Sequence, residues 1–343
     1  MKRPGGLRVL ISFAISGVLL VLLVRSVDLS SLGSALAATD WRFVPPAIGL
    51  YFVGAWLRSA RWGLLLPEHS VSTPMLFRVL VVGFTVNNLL PVRMGEVARA
   101  YLLSRWCRIP YGATLASLVV ERVLDGLSLA ALLLVALLFV PAPGYLLVIG
   151  VLAGVGFLVG ALLLALAAWR SRAIVSIVDW LARPLPPRIG GLAEGLALGF
   201  ARGLSLVRGR GRLLRLIALS LLAWCVELSL FFVLMLGFGL PASYPLAFLV
   251  GSAANFATLV PSSPGYVGTF DGALVKVLRD TAGVAAAPAT AYAIVVHVTL
   301  FLPVVILGTL VLWRSHMTFV QITHAPDRSA AQAATEGDWS AAA

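Results

Sequence analysis

What most constrains this chain is a row of apolar runs, each near the 20 residues that one helical crossing of a bilayer needs. They fall at 7–25, 43–66, 112–140, 145–169, 213–236 and 287–313. Two shorter runs, 74–90 and 244–260, stop below that length. Only 12% of the residues are charged, against about 25% in soluble domains, and mean hydropathy is +0.99. The chain is therefore read as an all-α polytopic membrane protein. Lys2, Arg3 and Arg8 precede the first run; its length and the five runs after it favour a retained span over a cleaved signal. With Cys107 and Cys225 alone and far apart, neither a disulfide framework nor a CxxC metal site is available, and no metal or cofactor is expected. The net charge of +12 would suit nucleic acid, but the arginines sit at the ends of apolar runs, where they report topology and meet anionic head groups. Nucleic acid is excluded on that ground.

Loop charge sets the orientation. Lys2, Arg3 and Arg8 place the N-terminus in the cytoplasm, and the 26–42 loop, with Asp28 and Asp40 against Arg42, is then external. If 74–90 crossed the membrane, Arg93, Arg99, Arg105 and Arg108 would lie outside, together with the nine arginines of 170–215. A hairpin that dips in over 74–90 and returns over 93–107 puts both groups in the cytoplasm. The same reasoning makes 244–282 a second hairpin, entering from outside, and gives a cytoplasmic C-terminus. The expected fold is about six transmembrane helices plus two re-entrant helical hairpins in one domain, 1–315. A cytoplasmic amphipathic segment spans 170–212, and 316–343 is a disordered tail. Trp41, Trp62, Trp106, Trp169 and Trp313 mark the interfaces, and Gly150, Gly154, Gly156 and Gly160 read as helix-packing positions.

The two hairpins resemble each other. GFTVNNLLPVRMG (83–95) and GSAANFATLVPSSPG (251–265) share Gly-x-x-x-Asn and then Pro-x-x-x-Gly, and ATLASLVVER (113–122) aligns with ATAYAIVVHV (289–298), setting Glu121 opposite His297. The copies, about 43–140 and 213–313, are separated by an odd number of crossings. That is the inverted repeat of many secondary transporters, whose broken helices line the substrate site. Pro91, Gly95, Pro261, Pro264, Gly265 and Gly268 are the expected hinges.

Polar residues concentrate where these helices break. Glu121, Arg122 and Asp125 lie about ten residues inside an apolar helix, and each unpaired charge at a helix centre costs about 2.5–3.5 kcal/mol. They are paired, hydrated or functional; an ion pair that knits helices together is the structural alternative. Arg93, Glu96 and Arg99 share one side of a short helix, where arginines suit the bidentate grip of a phosphate. Asn87 and Asn88 before that break, and Asn255, Ser262, Ser263 and Asp271 around the second, complete the expected substrate-binding set. Glu121, Asp125 and His297 are candidates for proton coupling, and Glu227 stands alone in the fifth span.

Asn88-Leu89-Leu90-Pro91, Arg93, Gly95-Glu96, Arg99, Glu121-Arg122, Asp125, and later Pro261, Ser263-Pro264-Gly265 and Gly268 together resemble the lysylphosphatidylglycerol synthase transmembrane family over residues 5–315. The resemblance implies a polytopic fold that moves lipid between leaflets of the plasma membrane. Asp271 stands where that family more often has glutamate, and no soluble synthetase domain is present in the sequence, so aminoacylation is not implied.

The expected function is thus a flippase for a polar-headed, phosphate-bearing lipid. Without a GxxxxGK[ST] loop, ATP is not its driver. Membrane lipids are the expected partners, with a homo-oligomer or a lipid-synthesis enzyme beside them. No clustered acid or histidine set suits catalysis, so the chain is expected not to be an enzyme. A membrane-embedded transferase acting on a lipid-linked donor and a non-transporting accessory subunit are the alternatives.

Overall fold

The structure is a computed structural model that describes residues 29–66, 71–90, 94–169, 210–260 and 264–315. The first apolar run, residues 170–209 of the expected amphipathic segment and the 316–343 tail therefore lie outside the described residues, and 210–212 open a long helix. So do Pro91, Arg93, Pro261, Ser262 and Ser263.

Several elements have a clear local cause. Helix α1 (Leu29–Ala37) lies within the expected external 26–42 loop, which is thus partly helical, and it packs on the last helix. A 3-10 turn at Trp41–Phe43 is capped by Asp40, which accepts from the Arg42 amide at 3.1 Å. Prolines in the first turn, where their missing N–H costs nothing, start α2 (Val44–Gly63), α3 (Thr73–Leu89) and α8 (Tyr244–Ala257). The others are α4 (Gly95–Cys107), α5 (Tyr111–Ala136), α6 (Gly144–Trp169), α7 (Arg210–Gly237), α9 (Thr269–Ala282) and α10 (Ala286–Arg314). All regular structure among the described residues is helical.

Three helices are long and apolar enough to cross a membrane by length and composition: α6, α7 and α10. Helices α2 and α5 have the length but carry Arg58 and Arg61, and Glu121, Arg122 and Asp125. Helices α3 and α8, at 17 and 14 residues, span only about 25 and 21 Å at 1.5 Å per residue, short of a hydrocarbon core about 30 Å thick.

Each short helix is followed by a break and a second short helix. Leu90, ahead of Pro91, is extended at φ −110°, ψ 143°, as the ring of a following proline demands. Helix α4 then folds back along α3 so closely that a Cβ on Gly95 would lie 2.1 Å from the Gly83 carbonyl oxygen. The second break turns through Gly265 (φ 73°), Tyr266 (φ 61°) and Gly268 (φ 89°), a left-handed path that glycine follows without strain. Asp271 closes it by accepting from the Gly268 amide at 3.0 Å.

The packing is reciprocal. Helices α2 and α7 lie along each other; α3 packs on α10 as α8 packs on α5; α3 and α4 pair as α8 and α9 do; α4 meets α5 as α9 meets α10. One apolar core spans α2, α5, α7, α8, α9 and α10, and a second lies among α2, α3, α4 and α5. Helix α6 packs mainly on α5, with Phe157 stacked on Phe256 of α8 and Tyr145 donating to Asp280 of α9, while most of its leucines and valines are exposed. Gly150, Gly154 and Gly160 face Leu133 and Leu134, Ala130 and Val123 of α5, whereas Gly156 faces open space. Trp62 departs from the interface expectation: it is fully buried and donates from Nε1 to Ser117 Oγ at 2.9 Å. Trp41 and Trp313 are exposed at helix ends.

Candidate functional site

The tips of the two broken hairpins meet. A Cβ on Gly265 would lie 2.8 Å from the Phe301 ring and 3.6 Å from the Asn88 carbonyl oxygen. Beside this contact is a cavity of about 340 Å3 lined by α2, α3, α4, α5, α6, α7, α8, α9 and α10. Asn87, Asn88, Glu96, Arg122, Asp125, Asn255, Gly265 and His297, all singled out in the sequence, line it. So do Arg58, Glu227, Tyr51, Trp224, Phe157, Phe256 and Phe301.

Behind the cavity wall the charges are paired. Glu121, fully buried, accepts two bonds from Arg99, Nη1 to Oε1 at 2.7 Å and Nη2 to Oε2 at 2.8 Å. The Arg99 guanidinium also lies 4.0 Å from the centre of the Trp62 ring, a favourable cation–π distance. Arg122 donates to Glu121 at 3.0 Å and comes within 4.0 Å of Glu96. On the other side, Arg61 donates to Asp125 at 2.6 Å and to Ser220 at 2.9 Å, and Trp224 Nε1 donates to the same Asp125 oxygen at 3.0 Å. Arg58 pairs with Glu227 and stacks 4.2 Å from the Trp224 ring centre. Four arginines thus face four acids, and at membrane depth each pairing removes a cost that a lone charge would carry.

This arrangement sorts the expected residues. Arg99 and Glu121 spend their hydrogen-bonding forks on each other, behind the cavity. Asn87 caps α4, its side-chain oxygen accepting from the Gly95 amide at 2.7 Å, an otherwise orphaned N–H. Asp271 also lies behind the wall, where His297 Nδ1 bonds its Oδ1 at 2.7 Å; His297 itself faces the cavity. Arg93, Ser262 and Ser263 lie outside the described residues. Among the described residues no group of acids, cysteines and histidines is arranged to hold a metal.

Sequence reasoning missed Arg58 and Arg61. Their signal was present: two arginines at i and i+3 inside a run read as apolar, a placement as costly as that of Glu121 and equally in need of partners. Trp224 and Tyr51 carried no signal apart from the fold.

A match to the lysylphosphatidylglycerol synthase TM region family spans residues 9–308. The chain belongs to this family. Among its relatives is a UPF0104 membrane protein of Methanothermobacter thermautotrophicus, 24% identical over 86% of this chain and 90% of that protein. A second UPF0104 protein of the same organism is 26% identical over 76% of this chain and 79% of its own length. The glycosyltransferase AglD of Haloferax volcanii is 29% identical over 81% of this chain, and the chain spans about half of that relative, 50%. This last similarity corrects the expectation that the chain is not an enzyme: it is related over most of its length to a protein named for catalysis, and too few acids in the sequence was not sufficient ground for exclusion.

Proposed function

We propose that this membrane protein holds the polar head of a lipid in the cavity between its two broken hairpins and passes that head from one leaflet to the other. The observation that carries the reading is the cavity itself. Irregular polar backbone is tolerated at membrane depth only where protein buries it or water reaches it, and here both breaks border one space lined by amides, acids and arginines. The reciprocal packing of α2–α5 and α7–α10 supports an inverted repeat with the two hairpins re-entrant from opposite faces, the architecture that alternating access uses. The exposed apolar face of α6 suits acyl chains that stay in lipid while the head moves. Termini on the cytoplasmic side of the plasma membrane follow from the arginine distribution.

The similarity to a glycosyltransferase supports a second element of the function. The lipid moved is a substrate or product of group transfer onto or from its head, and this chain supplies or performs part of that reaction.

Reconstituted protein in vesicles with a head-labelled fluorescent lipid tests both. Leaflet exchange is expected with protein and not in protein-free vesicles, read by quenching of the outer leaflet. Chromatography of the same lipid reports transfer. Product without exchange would replace transport with catalysis.

A further inference from the structure

We propose that movement of the lipid head is coupled to a proton, and that the Asp271–His297 pair carries it. This rests on the transport reading and supplies it with an energy source.

Around the cavity, among the described residues, every acid but Asp271 has an arginine beside it. Glu121 is bonded to Arg99, Asp125 to Arg61 and Glu227 to Arg58, and Glu96 comes within 4.0 Å of Arg122. Protonating one of these acids would leave a guanidinium at membrane depth without its partner, a costly change. Glu121 and Asp125 therefore drop out as proton carriers.

Asp271 is bonded instead to His297, at 2.7 Å between Oδ1 and Nδ1, and histidine is the residue type that gains or loses a proton within the physiological pH range. Because the carboxylate engages Nδ1, Nε2 is the nitrogen left to exchange a proton with the cavity, which His297 lines with 16% of its side chain exposed. The rings of Phe270 and Phe301, centred 5.7 and 5.9 Å away, flank the imidazole. The other titratable or charged groups on this space are Tyr51 and Arg58 of α2, Glu96 of α4, Arg122 and Asp125 of α5, Glu227 of α7, and Tyr266 at the second break. Of the remaining helices packed on α10, α1 carries no charge, Arg78 of α3 is exposed outside the lining, and Lys276, Arg279 and Asp280 of α9 also fall outside it.

With four arginines balancing four acids, the charge of the whole cluster is set by this pair. It is neutral with the proton and carries one negative charge without it. An anionic head is repelled by the second state and admitted by the first, so head and proton raise each other's affinity and travel together. The pair is also placed to act on the hinge. Asp271 Oδ2 accepts from the Gly268 amide at 3.0 Å, so one carboxylate ties the left-handed turn of the second break to α10, and loss of the proton weakens the charge-assisted half of that tie.

The test reconstitutes the full chain in vesicles holding a trace of phosphatidylethanolamine labelled on its head with nitrobenzoxadiazole, a singly anionic probe. Potassium and valinomycin hold the voltage at zero, and dithionite quenching reads the leaflet ratio. Wild type is expected to equalise the leaflets at equal pH. Across one unit of pH difference it should collect the probe about tenfold in the leaflet facing the alkaline side, the ratio that one proton per lipid sustains. His297→Gln and Asp271→Asn should no longer collect it, whatever rate of exchange they retain; should either fail to fold, the wild-type ratio decides by itself. A wild-type ratio indifferent to the gradient, collection on the acidic side, or tenfold collection by the variants overturns this inference and leaves transport standing. No exchange by the wild type under any condition overturns both.

Discussion

Glu121→Gln is expected to unfold this protein at a temperature well below wild type and to cut its monodisperse yield. Glu121 is wholly buried, and Arg99, 2% exposed, depends on it for two bonds. Glutamine keeps the shape and removes the charge, leaving an uncompensated guanidinium in the interior. Breaking one side of a buried pair costs about 3–5 kcal/mol, whereas replacing both sides with packed apolar residues is often neutral or better. Arg99→Met combined with Glu121→Met should therefore recover most of the lost stability. Thermal unfolding of the single and double variants in one detergent checks this. A single variant that melts like wild type would mean that water reaches Arg99, and the pair would not be holding α4 to α5.

Gly95→Ala should be nearly as damaging, by a different route. The added methyl would sit 2.1 Å from the Gly83 carbonyl and 2.6 Å from the Asn87 side chain, so it meets backbone that has no rotamer to change. Overpacking of this kind costs about 1–3 kcal/mol, and here it would splay the first hairpin and strip Asn87 from the α4 amide it caps. Gly272 in α9 is the control, because a Cβ there meets nothing within 4 Å. Gly272→Ala should hold or raise stability by a few tenths to about 1 kcal/mol. Equal effects at the two positions would show that close approach of α3 and α4 is not what Gly95 provides.

These two sites mark how far the sequence could be read. Gly95 was legible because a glycine inside an apolar stretch announces a break in any fold, and the Gly-x-x-x-Asn and Pro-x-x-x-Gly motifs, with two extra residues between them in the second copy, pointed to a second break near Gly265. Glu121 was legible as a charge that cannot stand alone at membrane depth, but its partner was not. Arg99, Arg122 and Arg93 were all eligible by spacing, and only the fold brings Arg99 beneath it. The charges of α2 show the reverse failure. Arg58 and Arg61 were absorbed into a hydropathy average, which counts composition and ignores which face a residue occupies. Their acids, Glu227 and Asp125, lie 169 and 64 residues away, beyond any local pattern. Trp62 was misplaced for a related reason: a tryptophan near the end of an apolar run marks an interface in general, but here α4 lays Arg99 over its ring.

The pairing also changes what the cluster can do. Arg99, read from sequence as part of a grip for phosphate, joins Arg58, Arg61 and Arg122, each with its acid, in a neutral lattice that holds α2, α4, α5 and α7 in register around the cavity. What is left facing the cavity is polar and mixed in sign, and this is the surface that any head group meets.

Filling that space tests the central claim most directly. Asn255→Trp places a large ring in the cavity, while Leu162→Trp adds the same ring to the exposed face of α6. Each protein is purified in mild detergent, and native mass spectrometry measures the lipid that stays bound. Wild type and Leu162→Trp should retain one lipid per chain, and Asn255→Trp, with unchanged melting, should retain none. Equal retention in all three would contradict the account, because the head group would then bind somewhere other than between the hairpins.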